Sequence, residues 1–393
     1  MSAAAVPGAR PRTAVATVAM FGAGQLAQMT HQAAVSLGVR LRVLAAGGED
    51  CAVAAGAEHL IARRPAAADL LALAAGADVL TFDNERVEPA TLARLEAGGV
   101  RLAPTAAAKL LAQDKLHARR TLRRLGFPLP PFAHARGAAD VDRFAAEHGW
   151  PLVGKAPRGG YDGRGVFRLA DRRAAEAALR AHPGGLLLEP ALAIERELAV
   201  LLARSTTGEL VVYPVAETVQ EEAICREILA PAPVPAAVAE EARRLAVGIA
   251  EAIDASGVVA VELFLTGDGL LVNELALRPH NSGHFTIEGC ASSQFEQHLR
   301  AVLGWPLGPT DLRAAAVATA NVIGGADPHD PRTLAAAALA GTPAHLHLYG
   351  KAPRAGRKLG HVTVLGEDLG AARVEAVRVA RLLEGSADAE PRR

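Results

Sequence analysis

The chain of 393 residues is poor in cysteine, carries no net charge and lacks any long apolar run. Its three cysteines, Cys51, Cys225 and Cys290, are odd in number and far apart, which fits neither a disulfide framework nor a zinc site and accords with a reducing, cytoplasmic setting. Lysine plus arginine and aspartate plus glutamate balance at 42 each, so no global field draws in nucleic acid or an anionic membrane. Any bound anion must be held locally. Half of the residues are apolar, yet Gly, Arg, Asp or Pro interrupts every apolar stretch short of the roughly 20 residues that cross a bilayer. No repeat is visible. The opening MSAAAVPGARPRTAVATVAM has arginines but no compact apolar core with a cleavage site, so residues 1–12 read as a disordered tail rather than a signal peptide.

At roughly 150 residues per domain, the length allows two or three domains. TAVATVAMFGAGQLAQMTHQAAVSLGVRLRVLAA reads as strand, glycine turn, helix and strand. Further strands are expected at HLIA, DVLTF and VRLA, so residues 13–108 form an α/β, Rossmann-like domain with an open parallel sheet. Pro128, Pro130 and Pro131 mark a new region, 109–312, whose part from about 130 to 190 reads as a separate lobe. There, ELAVLLAR and LVVYPVAET read as paired strands around the turn TTGE. Residues 313–380 have the mixed signals of a small α/β domain, and 381–393, ending SADAEPRR, read as a second disordered tail.

Four stretches carry chemistry. GAGQLAQ fits G-x-G-x-x-A between a strand and a helix, where glycines let a backbone approach a phosphate at a helix N-terminus. A nicotinamide site would also need an acid closing the second strand; Ala45 and Ala46 stand there, with Glu49 late, and a purely structural turn is the plain alternative. In VGKAPRGGYDGRGV a strand delivers Lys155, and Gly159, Gly160, Gly163 and Gly165 follow with Arg158 and Arg164. Backbone N–H groups with a lysine and arginines suit a polyphosphate, against the alternative of a solvated hairpin tip. In GVVAVELFLTGDGLLVNELALRPHNSGHF, Gly-Asp-Gly links two strands, so Glu262 and Glu274 can face each other across the ladder. Unpaired acids there would repel, and a magnesium ion completed by phosphate oxygens removes the conflict; an arginine partner for Glu262 is the alternative. Arg278 would then meet the phosphate charge, and His280, Asn281, Ser282, Gly283 and His284 form a polar loop suited to a second substrate. Finally, LYGKAPRAGRKLGH sets Lys351, Arg354, Arg357 and Lys358 in a glycine-punctuated loop that suits a phosphate monoester, unless it is a surface charge run.

A glycine-rich lid, a preceding lysine, a glutamate hairpin and an α/β domain in front together resemble the ATP-grasp superfamily. More narrowly, GQL, GGYDGRG, NE…RPHNSGH and GRKLGH, in this order from about residue 15 to 370, resemble the N5-carboxyaminoimidazole ribonucleotide synthases of purine biosynthesis. The resemblance implies an ATP- and bicarbonate-dependent carboxylation of 5-aminoimidazole ribonucleotide by a cytoplasmic homodimer with magnesium. It implies that Lys115 and Lys155 contact ATP, that Gly160, Tyr161, Asp162, Gly163, Arg164, Gly165 and Val166 cover its phosphates, and that Glu189 and Leu192 line the adenine pocket. It also implies that Glu197 holds the ribose, Gln220 and Asn273 lie at the nucleotide, Glu262 and Glu274 hold magnesium, and Arg278 and Lys358 are catalytic. The ribonucleotide would lie against Gln25, Leu26, Glu85, Tyr161, Asp162, the 280–284 loop, Lys351, Arg357 and Lys358. The chain departs from the family pattern at Ala27, Gln28, Asp83, Thr218, Gln220 and Leu277. A formate-dependent glycinamide ribonucleotide formyltransferase of the same superfamily and a non-catalytic nucleotide-binding module are the rival readings.

Overall fold

The structure, a computed structural model, describes residues 15–160 and 165–385. These residues build three sheets. β1 (Thr17–Phe21), β2 (Arg40–Ala45), β3 (Glu58–Ile61) and β4 (Val79–Phe82) form the first, all parallel in the order β3-β2-β1-β4. The strand expected at VRLA is only a single bridge, Leu80 to Leu102. β1 is an unbroken buried run because helices cover both of its faces.

The second sheet is antiparallel and small: β5 (Ala133–Ala135), β6 (Leu152–Lys155), β7 (Val166–Leu169) and β8 (Leu186–Pro190), in the order β5-β8-β6-β7. The helices Ala138–His148 and Arg172–Ala181 close its core around Leu152, Leu169, Leu186 and Leu188.

The third sheet holds β9 (Ile194–Arg204), β10 (Leu210–Val212), β11 (Ala216–Glu221), β12 (Ile224–Ala230), β13 (Gly257–Thr266), β14 (Gly269–Ala276), β15 (Ala316–Ile323), β16 (His345–Leu348) and β17 (Lys358–Gly366). Its order is β14-β13-β9-β11-β12-β15-β17-β16, with β10 also on β9. LVVYPVAET, expected as one strand, splits into β10 and β11 around Pro214, which cannot donate to the ladder. Residues 313–380, expected as a small C-terminal domain, continue this sheet through the β12–β15 pairing of Glu227–Ala230 with Val317–Ala320. The last helix, Leu369–Leu383, runs past residue 381, where a tail was expected to begin; residues 1–12 and 386–393 lie outside the described residues.

Alternate residues of β13 enter two different cores. Val259, Val261 and Leu263 pack with Ala242, Ala246 and Ile249 of the helix Ala236–Ala252, while Val258 and Ala260 pack with Phe285 and Cys290 on the other face. By this two-residue period, Glu262 shares the face of Val258 and Ala260. On β9, Leu198, Val200 and Leu202 face the helix, which puts Glu197 on the same face as Leu201, Ala203 and Glu262.

Candidate active site

One irregularity brings Glu274 to that face. Leu270 and Val272 of β14 point into the helix-covered core, and an unbroken strand would send Glu274 after them. The pairing instead runs Glu262 to Glu274 and then Leu263 to Val272, so Asn273 is an extra residue. This bulge reverses the alternation, and beyond it Leu275 and Leu277 occupy the core while Glu274 and Ala276 turn outward. Glu262 and Glu274 therefore stand directly opposite on one face.

Burial, and then the charges of Glu274 and Glu197, push the Glu262 carboxyl up to about 8. Burial also works against ionisation of Glu274, but Lys115, whose Nζ donates to its Oε2, together with Lys155 and His280 holds it down to about 2. Asn273 bridges outward: its Nδ2 donates to Glu262 at 3.4 Å, and its Oδ1 accepts from Lys155 Nζ at 3.1 Å. Lys155, at the end of β6, also pairs with Glu189 at 2.7 Å, and Glu189 accepts from Arg119 Nε at 2.6 Å. Despite burial, these two cations lower the Glu189 carboxyl. Burial raises Glu197, against the charge of Lys155 and a hydrogen bond from Gln220. Gln220 thus reaches Glu197 although it departs from the family pattern.

The lid loop starts from Lys155. Ala156 N–H donates to Gly165 O at 2.7 Å, and Gly165 has φ +76°, a left-handed conformation that favours glycine. Gly160 precedes the undescribed segment and Val166 opens β7; Tyr161, Asp162, Gly163 and Arg164 lie outside the described residues. Leu192 is half-buried in the connection from β8 to β9.

Beyond β14 the chain turns through Arg278, whose Nε donates to Glu85 Oε1 at 2.7 Å. The arginine expected on phosphate is thus held by a carboxylate of the first domain. Burial works against the Glu85 charge, but Arg278 and Lys109 lower it to about 2. His280 caps the one-turn helix Asn281–Gly283; its ring Nδ1 meets Ser282 Oγ at 2.8 Å and its Nε2 lies 3.5 Å from Glu262 Oε1. Burial, with Arg278, lowers its pKa to about 4, so the ring is neutral at pH 7. Gln294 fixes this loop by accepting from His280 N–H and donating to His280 O, both at 2.8 Å. Gly283 has no room for a side chain, since a Cβ would come 2.6 Å from Gln294 Oε1 and from Leu201 Cδ2. Asn281 Nδ2 is buried without a hydrogen-bond partner among the described residues, and His284 stacks on His361 at 4.7 Å.

Lys358 opens β17, and its charge reaches Glu262, His280 and His284. Lys351 and Arg357 lie nearer Cys51, whose buried thiol is raised by desolvation against both charges. Lys351 also sits 5.2 Å over the Tyr349 ring, and Arg357 Nη1 donates to Ala352 O at 3.0 Å. Leu26 packs on Tyr349 and Cys51, which carries Gln25, at the start of the helix Gln25–Leu37, to this group.

The glycine turn of the first domain takes a carboxylate of the chain itself. Gly24 N–H donates to Asp83 Oδ2 at 2.9 Å, and a Cβ on Gly22 (φ +107°) would fall 1.6 Å from Asp83 Oδ1. That filled place speaks against the nicotinamide reading and explains the short Asp83. Sequence reasoning missed Arg119, which the four-residue spacing from Lys115 could have placed on the same helix face. It also missed Gln294 and the bulge, which no local pattern signals.

A small antiparallel lid facing a large sheet, with lysines and acids of both at the cleft, defines an ATP-grasp protein; residues 120–295 match the ATP-grasp domain family. Residues 15–113 match the ribonucleotide synthetase preATP-grasp domain, and 318–375 the phosphoribosylaminoimidazole carboxylase C-terminal domain. The N5-carboxyaminoimidazole ribonucleotide synthase of Mycobacterium bovis is 47% identical over 90% of this chain and 84% of its own length, and that of Synechococcus elongatus 40% over 88% and 89%. The crystal structure of N5-carboxyaminoimidazole synthase from Aspergillus clavatus with ADP and 5-aminoimidazole ribonucleotide superposes with a TM-score of 0.86 at 33% identity, covering 94% of this chain and 99% of that one. The chain belongs to the N5-carboxyaminoimidazole ribonucleotide synthase family.

Proposed function

We propose that this protein uses ATP and bicarbonate to carboxylate the exocyclic amine of 5-aminoimidazole ribonucleotide, releasing ADP and phosphate. The family supports the reaction, and one observation carries the site: Glu262, Glu274 and the 280–284 loop meet on a single sheet face. A bicarbonate oxygen attacks the γ-phosphorus and ADP leaves; the amine nitrogen then attacks the carboxyl carbon, phosphate leaves, and the proton lost from the amine passes to the departing phosphate. Lys115, Lys155 and the Gly160–Val166 loop hold the triphosphate, Glu189 and Leu192 the base, and Glu197, with Gln220, the ribose. Lys358 offsets phosphate charge as it moves, and Arg278 stands at the reacting groups with Glu85. Gln25, Leu26, His280, Asn281, Ser282, Gly283, His284, Lys351 and Arg357 take the ribonucleotide; the unpartnered Asn281 amide is a donor suited to it.

Glu262 and Glu274 fit a magnesium ion, because two carboxylates stand directly opposite on one sheet face with Lys115 donating to Glu274. Bound there, the ion would offset charge on the β- and γ-phosphates. The lid excludes water from the labile acyl phosphate. We further infer a cytoplasmic homodimer by family likeness; among the described residues, no helix is long and apolar enough to cross a membrane. The test is ADP release from purified protein with magnesium and each substrate pair. We expect dependence on bicarbonate and 5-aminoimidazole ribonucleotide; dependence on formate and glycinamide ribonucleotide would replace the proposal by the sister reaction.

A further inference from the structure

Lys109 is a costly residue to place where it stands. It lies on the helix Ala106–Gln113, its side chain is fully buried, and its ammonium makes no hydrogen bond among the described residues. A buried ammonium without hydrogen bonds loses several kcal/mol of hydration, on the order of what an entire core side chain contributes. The two compensations present are Glu85 Oε1 at 3.6 Å and the face of Phe82, 5.0 Å from Nζ.

The same helix holds the same segment a second time. Gln113, one turn on from Lys109, donates from Nε2 to the backbone carbonyls of Glu85, at 3.0 Å, and Val87. Residues four apart share a helix face, so one face grips both the backbone and the carboxylate of Glu85. Arg278, beyond β14, also donates to Glu85. Both cations meet Oε1, and the Glu85 side chain keeps about a quarter of its surface open (27%). Oε2 is then the carboxylate oxygen that neither recorded contact takes.

We propose that Lys109 is a positioning residue: it pins Oε1 of Glu85 together with Arg278, so that Oε2 stays aimed at the amine of the ribonucleotide. This rests on the assignment of Glu85 to the ribonucleotide. The groups around Lys109 are Glu85 and Asp83 beyond β4, Arg278 beyond β14, and His298 on the helix Gln294–Leu303. Burial lowers the Lys109 amine to about 8, with Glu85 opposing. The lysine is charged below that pH and neutral above it, so its hold on Glu85 fades as pH rises past about 8.

Lys109→Met keeps length and volume and removes the charge. We expect KM for 5-aminoimidazole ribonucleotide to rise about tenfold with KM for ATP unchanged. The wild-type fall in kcat/KM for the ribonucleotide above about pH 8 is expected to vanish in Lys109→Met, where the value is low throughout. In Lys109→Arg it should also vanish, with kcat/KM recovered toward wild type, because a guanidinium stays charged. A methionine variant with the wild-type ribonucleotide KM overturns the proposal, as does an alkaline limb unmoved in the arginine variant. Wild-type protein with no turnover dependent on 5-aminoimidazole ribonucleotide overturns the underlying function instead.

Discussion

Glu274 concentrates the chemistry of the site into one side chain. It faces Glu262 across the ladder, accepts from Lys115 and stands one residue from Asn273, which binds Lys155. Glu274→Gln changes almost no volume but removes the negative charge a cation needs. We expect ADP release to drop by at least about 100-fold, with the circular dichroism spectrum and melting curve close to wild type. Turnover at the wild-type rate would remove Glu274 from the proposed metal site. At this scale much was legible in the sequence, because the acids, lysines and histidines stand in compact motifs whose chemistry is local. What was not legible is who partners whom. Glu189 reads as an isolated acid, yet Arg119 and Lys155 share it. Arg278 reads as a phosphate ligand, yet Glu85, 193 residues away in sequence, takes it first.

Among the elements, the helix Gln294–Leu303 joins the first domain to the large sheet. Its Leu299 and Val302 enter the core of the parallel sheet. Its His298 accepts from Val258 N–H of β13 at 3.1 Å through Nδ1, and its Nε2 meets Thr81 of β4 at 2.9 Å. Burial lowers the His298 pKa from 6.5 to about 3. The unfolded chain therefore binds a proton between about pH 6.5 and 3 that the folded chain refuses, and stability falls as pH falls through that window. For this one fully buried group the loss by pH 5 is on the order of 2 kcal/mol. Chemical denaturation of wild type and His298→Gln between pH 7 and 4 checks it. The variant starts less stable, and its stability should decline with a slope smaller by about one proton; an unchanged slope would count against the assignment. Element types were readable from hydrophobic periodicity, as in β1, β4 and the β13–β14 hairpin. The failures, VRLA and the split at Pro214, fall where a short apolar run pairs with β4 through Leu80 alone or a proline removed a ladder donor.

For the whole molecule, the C-terminal domain matched over residues 318–375 adds its strands to the large sheet, a pairing that local patterns do not carry. A strand's partners are set by tertiary context, and β12 pairs with β15 on one side as it does with β11 on the other. Deleting residues 313–393 would strip β15 to β17 and the helix Leu369–Leu383, opening one long edge on β12 and baring Leu229. We expect the 1–312 fragment to aggregate on expression; a soluble fragment with a cooperative melt would show that the sheet divides after all.

The inserted Asn273 makes the register of β14 a matter of counting. Losing any one residue between Leu270 and Glu274 would restore the plain alternation and rotate the second glutamate beneath the sheet, against the helix Ala236–Ala252. Such a protein would keep every residue type the chemistry calls for and still have nowhere to dock its nucleotide. Length at this one hairpin is therefore as strict a requirement as composition.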